Sequence, residues 1–258
     1  GRLEATRSRR SPDWFDEAAT MNLILFTEAE IRSPLPRHDA RAKHILEILR
    51  FGVGDAVDVG IINGPAGKAT IVEIGESGLV LDYDLTRQPS PLYPVSMIIG
   101  LPRPPSSRRI LGDLTSMGVQ QMHFVATDKG EKSYLRSRLW AEGEFERLLR
   151  EGAQQAFSTY LPDVRVHAGL EDCFEHLVAP TDRVALDNYE AALRLQQFDP
   201  TTDHCTLAVG SERGWSARER DLLREAGFQL MGMGTRVLKT ETACIAGLAV
   251  VLGKLQRP

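Results

Sequence analysis

Two glycine-bearing stretches near the C-terminus hold the residues whose types and spacing could do chemistry. They are Thr206-Leu-Ala-Val-Gly210-Ser-Glu-Arg-Gly214-Trp215 and Met231-Gly-Met-Gly-Thr-Arg-Val-Leu-Lys-Thr-Glu-Thr242. Each begins with an apolar run that reads as a buried strand and ends in a tight loop. Glycine lets backbone amides and carbonyls approach a ligand closely. Two such loops at the carboxyl ends of neighbouring strands make a backbone-lined crevice, the place where open α/β sheets bind ligands. Neither loop is the Gly-x-Gly-x-x-Gly fingerprint, and neither is a phosphate loop, since no Gly-Lys-Ser/Thr follows. Arg236, Lys239 and Glu241 come directly after the second loop. Arg236 and Glu241 read either as an ion pair fixing that loop to the next helix or as groups acting on a bound substrate.

The elements that must position these loops are legible around them. Leu207–Val209 is the first strand, and Ser216 with Glu219 three residues later forms a capping box that starts a helix at Ala217. Gly227 stops that helix, Phe228–Met231 is the second strand, and a last helix begins near Thr240 or Thr242. From Ala243 to Gly253 this helix is apolar nearly all round, so it is expected to be buried on every side. Its small residues Ala243, Ala246, Gly247 and Ala249 allow close packing against another helix. Upstream, Val95–Leu101, Met122–Ala126 and Asp182–Leu186 read as strands. Ile110–Met117, capped by Gly118, and an amphipathic stretch from Trp140 to Phe157 read as helices. Strand alternating with helix predicts a parallel sheet covered on both faces.

The N-terminal third reads differently. A short strand, Asn22–Phe26, precedes a helix from His38 to Arg50 that turns Ala42, Ile45, Leu46 and Leu49 toward a core. Three strands follow, Ala56–Ile62, Gly67–Ile74 and Gly78–Leu85, with Asn63-Gly64 and Glu76-Ser-Gly78 as turns. Short strands, tight turns and one helix suggest a small β-barrel over residues 21–87. Gln88-Pro-Ser-Pro-Leu-Tyr-Pro94 reads as a stiff linker, placing the α/β domain at 95–258. Residues 1–20 read as a tag remnant or a disordered extension, and Met21 as a natural start.

The 258 residues carry a net charge of −4, so there is no global basic footprint for nucleic acid. Two local segments run against that balance: Arg103–Arg109, with three arginines and no acid, and Lys129–Arg138, with four basic residues around Tyr134. Cys173, Cys205 and Cys244 lack metal or Cys-x-x-Cys spacing and read as buried thiols in a reducing cytosol, with no metal expected. The longest apolar run, Ala243–Leu252, is too short to span a bilayer, and no signal-peptide core is present.

The string Met233 to Ala243, containing Arg236-Val-Leu-Lys-Thr-Glu-Thr-Ala243, resembles the C-terminal signature of the 16S rRNA uracil-N3 methyltransferases, a family of the knotted SPOUT methyltransferases. The family's Gly-Pro-Glu-Gly-Gly appears as Gly210-Ser-Glu-Arg-Gly214, with Ser211 for Pro and Arg213 for Gly. Its Leu-Pro-Lys appears as Leu101-Pro-Arg103, and its His-His-x-x-x-Val-Leu-Arg as Lys43-His44 running to Arg50. The arginine of its Glu-Gln-Ser-x-Arg is missing after Gln155.

The resemblance implies an α/β fold: a trefoil-knotted parallel-sheet methyltransferase domain behind an N-terminal PUA-like barrel. It implies S-adenosylmethionine as cofactor, held by Leu186, Gly210, Glu212, Gly214, Met233, Gly234, Arg236 and Leu238. It implies a cytoplasmic homodimer acting on ribosomal RNA of the small subunit. Methylating uracil N3 requires loss of its proton or stabilisation of the anion, and Arg236 and Glu241 are the candidate catalytic groups. Arg50, Arg103, Arg108, Arg109, Lys129 and Lys132 are the candidate RNA contacts. Two alternatives stay open: a related enzyme acting on another nucleotide, such as a tRNA ribose, and a non-catalytic RNA-binding relative.

Overall fold

A computed structural model describes residues 23–141 and 143–255; the stretch expected to be an extension, residues 1–20, lies outside them. The chain opens with strands β1 (Ile24–Phe26) and β2 (Leu35–Pro36), followed by helix α1 (Ala40–Lys43). Asp39 caps α1 through its carboxylate, which accepts from the Arg41 amide at 2.8 Å. The expected helix to Arg50 does not continue as α-helix. It widens into a π-helical turn, His44–Ile48, and ends at Arg50 with φ of +58°. The wider turn leaves Ile48 70% exposed, while Ala42 and Ile45 fill the core.

Strands β3 (Ala56–Ile61), β4 (Ala66–Ile74) and β5 (Gly78–Arg87) complete a five-stranded sheet of order β1-β3-β4-β5-β2. Phe26, Val57, Val59, Ile71 and Leu79 from its strands are buried together in one core cluster.

The rest of the chain alternates as expected. In order come β6 (Tyr93–Gly100), α2 (Pro104–Ser116), β7 (Val119–Val125), α3 (Glu144–Gln155), β8 (Asp163–His167) and α4 (Leu170–Phe174). Then follow β9 (Asp182–Leu186), β10 (Leu193–Arg194), β11 (Cys205–Val209), α5 (Ala217–Glu225), β12 (Gln229–Gly232) and α6 (Thr240–Leu255). The seven strands form one sheet, ordered β10-β12-β9-β11-β6-β7-β8, and every pair is parallel. All carboxyl ends therefore lie on one edge, and β11 is inserted between β6 and β9.

Alternation along β6 divides the core. Val95, Met97 and Ile99 face one layer with Ile110, Leu114, Leu149, Leu248 and Val251, the apolar sides of α2, α3 and α6. Ile98 faces the other with Leu170, Cys173 and Leu223 from α4 and α5. Leu23, Leu25 and Ala153 pack where the first sheet meets the end of α3. There the Leu23 amide donates to the Gln154 carbonyl at 3.2 Å, and the Thr159 hydroxyl donates to the Gly64 carbonyl at 2.6 Å. Among the described residues no helix is long and apolar enough to cross a membrane.

Two expectations need correction. Helix α2 starts at Pro104 rather than at the expected Ile110, so the basic segment Arg103–Arg109 lies mostly in its first turns; proline at the start has φ set for the helix and no amide to satisfy. The long helix begins at Glu144 behind Gly143, whose φ of +90° breaks it from the 3-10 turn Arg138–Trp140. Within a single chain, helix α6 buries Cys244, Gly247, Leu248 and Val251 and leaves Thr242, Ile245 and Ala249 exposed.

The α2–α3 crossing depends on a missing side chain. A Cβ on Gly152 would sit 2.5 Å from the Gly112 carbonyl oxygen and 3.0 Å from the Thr115 side chain. Gly152→Ala is expected to lower stability by about 1–3 kcal/mol, the usual cost of overpacking. A urea midpoint equal to that of the unsubstituted protein would contradict this.

Candidate active site

The carboxyl edge of the parallel sheet is shaped by a second close approach. The chain leaving β11 folds back across the end of β6: a Cβ on Gly100 would lie 2.4 Å from the Ser211 amide nitrogen. The loop then turns sharply, with the Gly214 amide donating to the Ser211 carbonyl at 2.8 Å and Gly214 at φ +64°. A Cβ on Gly210 would meet Gly214 Cα at 3.1 Å and the Trp215 nitrogen at 3.2 Å. Glycine at 100 and 210 is therefore a packing requirement, and at 214 a conformational one.

Four side chains fix this loop. Trp215 is fully buried and donates from its indole to the Leu186 carbonyl at 3.2 Å. Glu219 caps α5 by accepting from the Ser216 amide at 2.7 Å, and its other oxygen accepts from the Asp128 amide at 2.8 Å. Lys129 donates to the Trp215 carbonyl at 2.8 Å. Glu212 reaches the other way and accepts from the Arg103 amide at 3.1 Å.

A cleft of about 700 Å³ opens between this loop, the end of β9 and the segment after β12. Leu186, Gly210, Glu212, Gly214, Met233 and Leu238, all singled out from sequence, line it. Gly234 and Arg236 are exposed and lie beside the lining; Gly234 has φ of +118°, and a Cβ there would meet nothing within 4 Å. A side chain at 234 is thus opposed by backbone strain rather than collision. The ion pair between Arg236 and Glu241 does not form. Glu241 sits on the first turn of α6, which packs against α2, and faces Arg109 at 3.8 Å, while Arg236 has no polar partner among the described residues.

The expected basic loops are only partly free. Arg108 is held by Glu144 at 2.7 Å, and Lys129 is spent on the glycine loop's carbonyls. Arg50, Arg103 and Lys132 are exposed. Lys132 stands in a 3-10 turn, Lys132–Arg136, near a second cleft that runs from Lys129 and Tyr134 to Arg213.

Sequence reasoning missed the floor of the cleft. Asp187 follows β9 and is buried with Arg220 of α5, Nε to carboxylate 2.7 Å. The same carboxylate accepts from the amides of Tyr189 and Glu190 at 2.8 and 2.6 Å. Burial pushes this carboxyl up, but the Arg220 guanidinium and the two amides more than offset it, leaving it below its ordinary range. Arg220 also lies 5.0 Å over the Tyr189 ring, which lines the cleft. The signal available was Asp187 ending an apolar strand; its partner, far along the chain, was not visible.

Breaking one side of this pair leaves a buried charge alone. Arg220→Ala is expected to cost about 3–5 kcal/mol. Because the folded carboxyl titrates below its unfolded value, the pair's contribution is complete above the ordinary carboxylate range, near pH 4, and is lost as pH falls further. Urea unfolding at neutral pH with an unchanged midpoint would refute the assignment.

Comparison with known proteins identifies the frame. Residues 88–252 match the RNA methyltransferase domain family. Ribosomal RNA small subunit methyltransferase E of Treponema pallidum is 37% identical over 248 residues, covering 90% of this chain and 91% of that protein. Methyltransferase E 1 of Borreliella burgdorferi is 27% identical over 91% of this chain and 99% of its own. Among solved structures, a ribosomal RNA small subunit methyltransferase E of Neisseria gonorrhoeae, bound to S-adenosyl methionine, superposes with a TM-score of 0.70. It is 19% identical and covers 91% of this chain and 98% of its own. A probable rRNA-methyltransferase of Porphyromonas gingivalis gives 0.76, at 20% identity over 91% of this chain and 98% of its own. With the domain match covering well over half of the chain, and a relative at 37% identity spanning nine-tenths of it, the chain belongs to the ribosomal RNA small subunit methyltransferase E family, the 16S rRNA uracil-N3 methyltransferases.

Proposed function

We propose that this chain uses S-adenosylmethionine to methylate N3 of a uridine in 16S rRNA. The observation that carries the reading is the cleft itself: two loops after the parallel strands β11 and β12, which are not neighbours as expected but flank β9, one of the loops packed so closely that a Cβ at Gly210 would fill it. The lining fits the cofactor's chemistry, with Leu186, Met233 and Leu238 as apolar wall for an adenine and the amides of Gly210–Gly214 as polar partners. Bound there, the cofactor supplies an electrophilic methyl group. The protein's part is positioning, which can provide most of the rate. Arg236, unpaired among the described residues, offers its charge to the uracil anion, and Glu241, facing Arg109, is the candidate acceptor for the N3 proton.

The same reading takes residues 95–258 as a SPOUT trefoil knot, supported by β11 lying between β6 and β9 and by the tight crossing at Gly100. It takes residues 21–87 as a PUA-like RNA-binding barrel. It also pairs two chains through the exposed side of α6, where Ile245 and Ala249 leave an apolar surface, in a cytoplasmic homodimer that meets the small subunit's RNA.

Calorimetry should show one S-adenosylmethionine bound per chain, with affinity lost in Gly210→Val. Mass mapping of 16S rRNA from a deletion strain should show one uridine lacking a base methyl. Cofactor binding without any missing methyl in that RNA would point to another substrate, and no cofactor binding would leave only an RNA-binding role. For RNA, the free cations are the ones to remove. Replacing Arg50, Arg103 and Lys132 together by Ala should lower the log–log salt slope of binding by about 2–3, at roughly 0.7–0.9 per lost phosphate contact. An unchanged slope would assign these three side chains to the solvated surface.

A further inference from the structure

The β7–β8 side of the parallel sheet carries donor atoms that the cleft does not use. His123 on β7, His167 at the end of β8 and Cys173 on α4 are all buried, and one ligand-type atom from each lies within 4.8 Å of the others. His123 Nδ1 and His167 Nε2 are 2.9 Å apart. Behind them, His167 Nδ1 faces the Asp172 carboxylate at 3.3 Å. A carboxylate only accepts, so that nitrogen carries the proton and His167 Nε2 presents a lone pair. His123 Nδ1 must then donate to it, which leaves His123 Nε2 bare, and this buried atom has no hydrogen-bond partner. Native interiors rarely leave such an atom unsatisfied. A carboxylate holding the outer nitrogen of an inward-facing histidine is also the arrangement that orients metal-ligating imidazoles.

We propose that His123, His167 and Cys173 bind a Zn²⁺ ion. Two imidazoles and a thiolate are a donor set suited to this ion. Zn–N bonds of about 2.0–2.1 Å and Zn–S of about 2.3 Å place tetrahedral ligand atoms roughly 3.3–3.7 Å apart, so the cluster closes on the ion with shifts on the order of 1 Å. The His123–His167 hydrogen bond is given up, His123 shifts tautomer if Nδ1 is the ligating atom, and the Cys173 proton leaves to solvent as the thiolate forms. Asp172 and His176, both exposed, form with His167 a second group of donor atoms within 4.8 Å and give the ion a way in from the surface. The bound ion ties α4 to β7 and β8, and three protein ligands leave its fourth tetrahedral position to a water. Three elements contribute one ligand each, at 123, 167 and 173, which is why no spacing motif announces the site.

The full-length protein, stripped with a chelator, is titrated with Zn²⁺ by calorimetry and with Co²⁺ by absorption. One ion per chain is expected, with a thiolate-to-Co²⁺ charge-transfer band and a rise in Tm on adding Zn²⁺. Cys173→Ala, a small change in a buried thiol, should remove the band and weaken Zn²⁺ binding at least tenfold while circular dichroism stays native. His123→Gln should likewise weaken binding. Absence of binding by the wild-type chain overturns the proposal. So does binding that survives Cys173→Ala but is lost in His176→Gln, which would place the ion on the outer group.

Discussion

The Gly210 loop lies across the end of β6, and it can do so only where position 100 has no side chain, since a Cβ would stand 2.4 Å from the Ser211 amide. That crossing decides where the loop's amides point. It brings Ser211 beside Thr127, whose hydroxyl donates to the Ser211 hydroxyl at 3.2 Å, and it sets Trp215 into the core below. With Trp215 fixed, α5 starts in a defined place. Arg220, one turn further on, is then delivered to Asp187 at the end of the neighbouring strand.

Charges organise the same edge in two tiers. The inner tier is buried and fully satisfied: Asp187 with Arg220 and two amides, and Glu219 with the amides of Ser216 and Asp128. Removing either partner there strands a desolvated group, so these contacts confer rigidity as much as energy. The outer tier is solvated. Arg218 bridges Asp128 at 2.7 Å and Glu171 at 2.7 Å with more than half its side chain exposed, and pairs of this kind contribute little individually. The outer pairs orient α4 against α5; the inner ones hold the cleft.

How much of this was legible depended on whether the information was local. The Ser216–Glu219 capping box, the stop at Gly227 with φ of +81° and the strand preceding Gly210 are written in neighbouring residues, and the structure has them. The start of α2 was placed at Ile110, six residues late, although proline at the first helical position is favourable. The π-helical turn after Lys43 has no local cue, since Ala42, Ile45 and Leu49 suit an ordinary helix equally well. Partner choice was the least legible: Arg108 goes to Glu144, Glu241 to Arg109 and Asp187 to Arg220, each across tens of residues. Of the two readings of Arg236 and Glu241, the ion pair does not form, because proximity in sequence says nothing about which helix α6 packs against.

The two sides of the cleft are therefore unlike. The loop from Gly210 to Trp215 is anchored by a buried indole, a buried carboxylate and a lysine on its carbonyls. The segment after β12 has Gly234, Thr235, Arg236 and Val237 exposed, with Val237 at 81%. Segments with few buried contacts open at the lowest free energy. A ligand entering the cleft would meet one preformed wall, whose amides need no rearrangement, and one wall where the exposed Val237 gains burial only when the ligand is present. The second wall is thus where ligand binding and ordering are coupled, and it is the segment that carries Arg236.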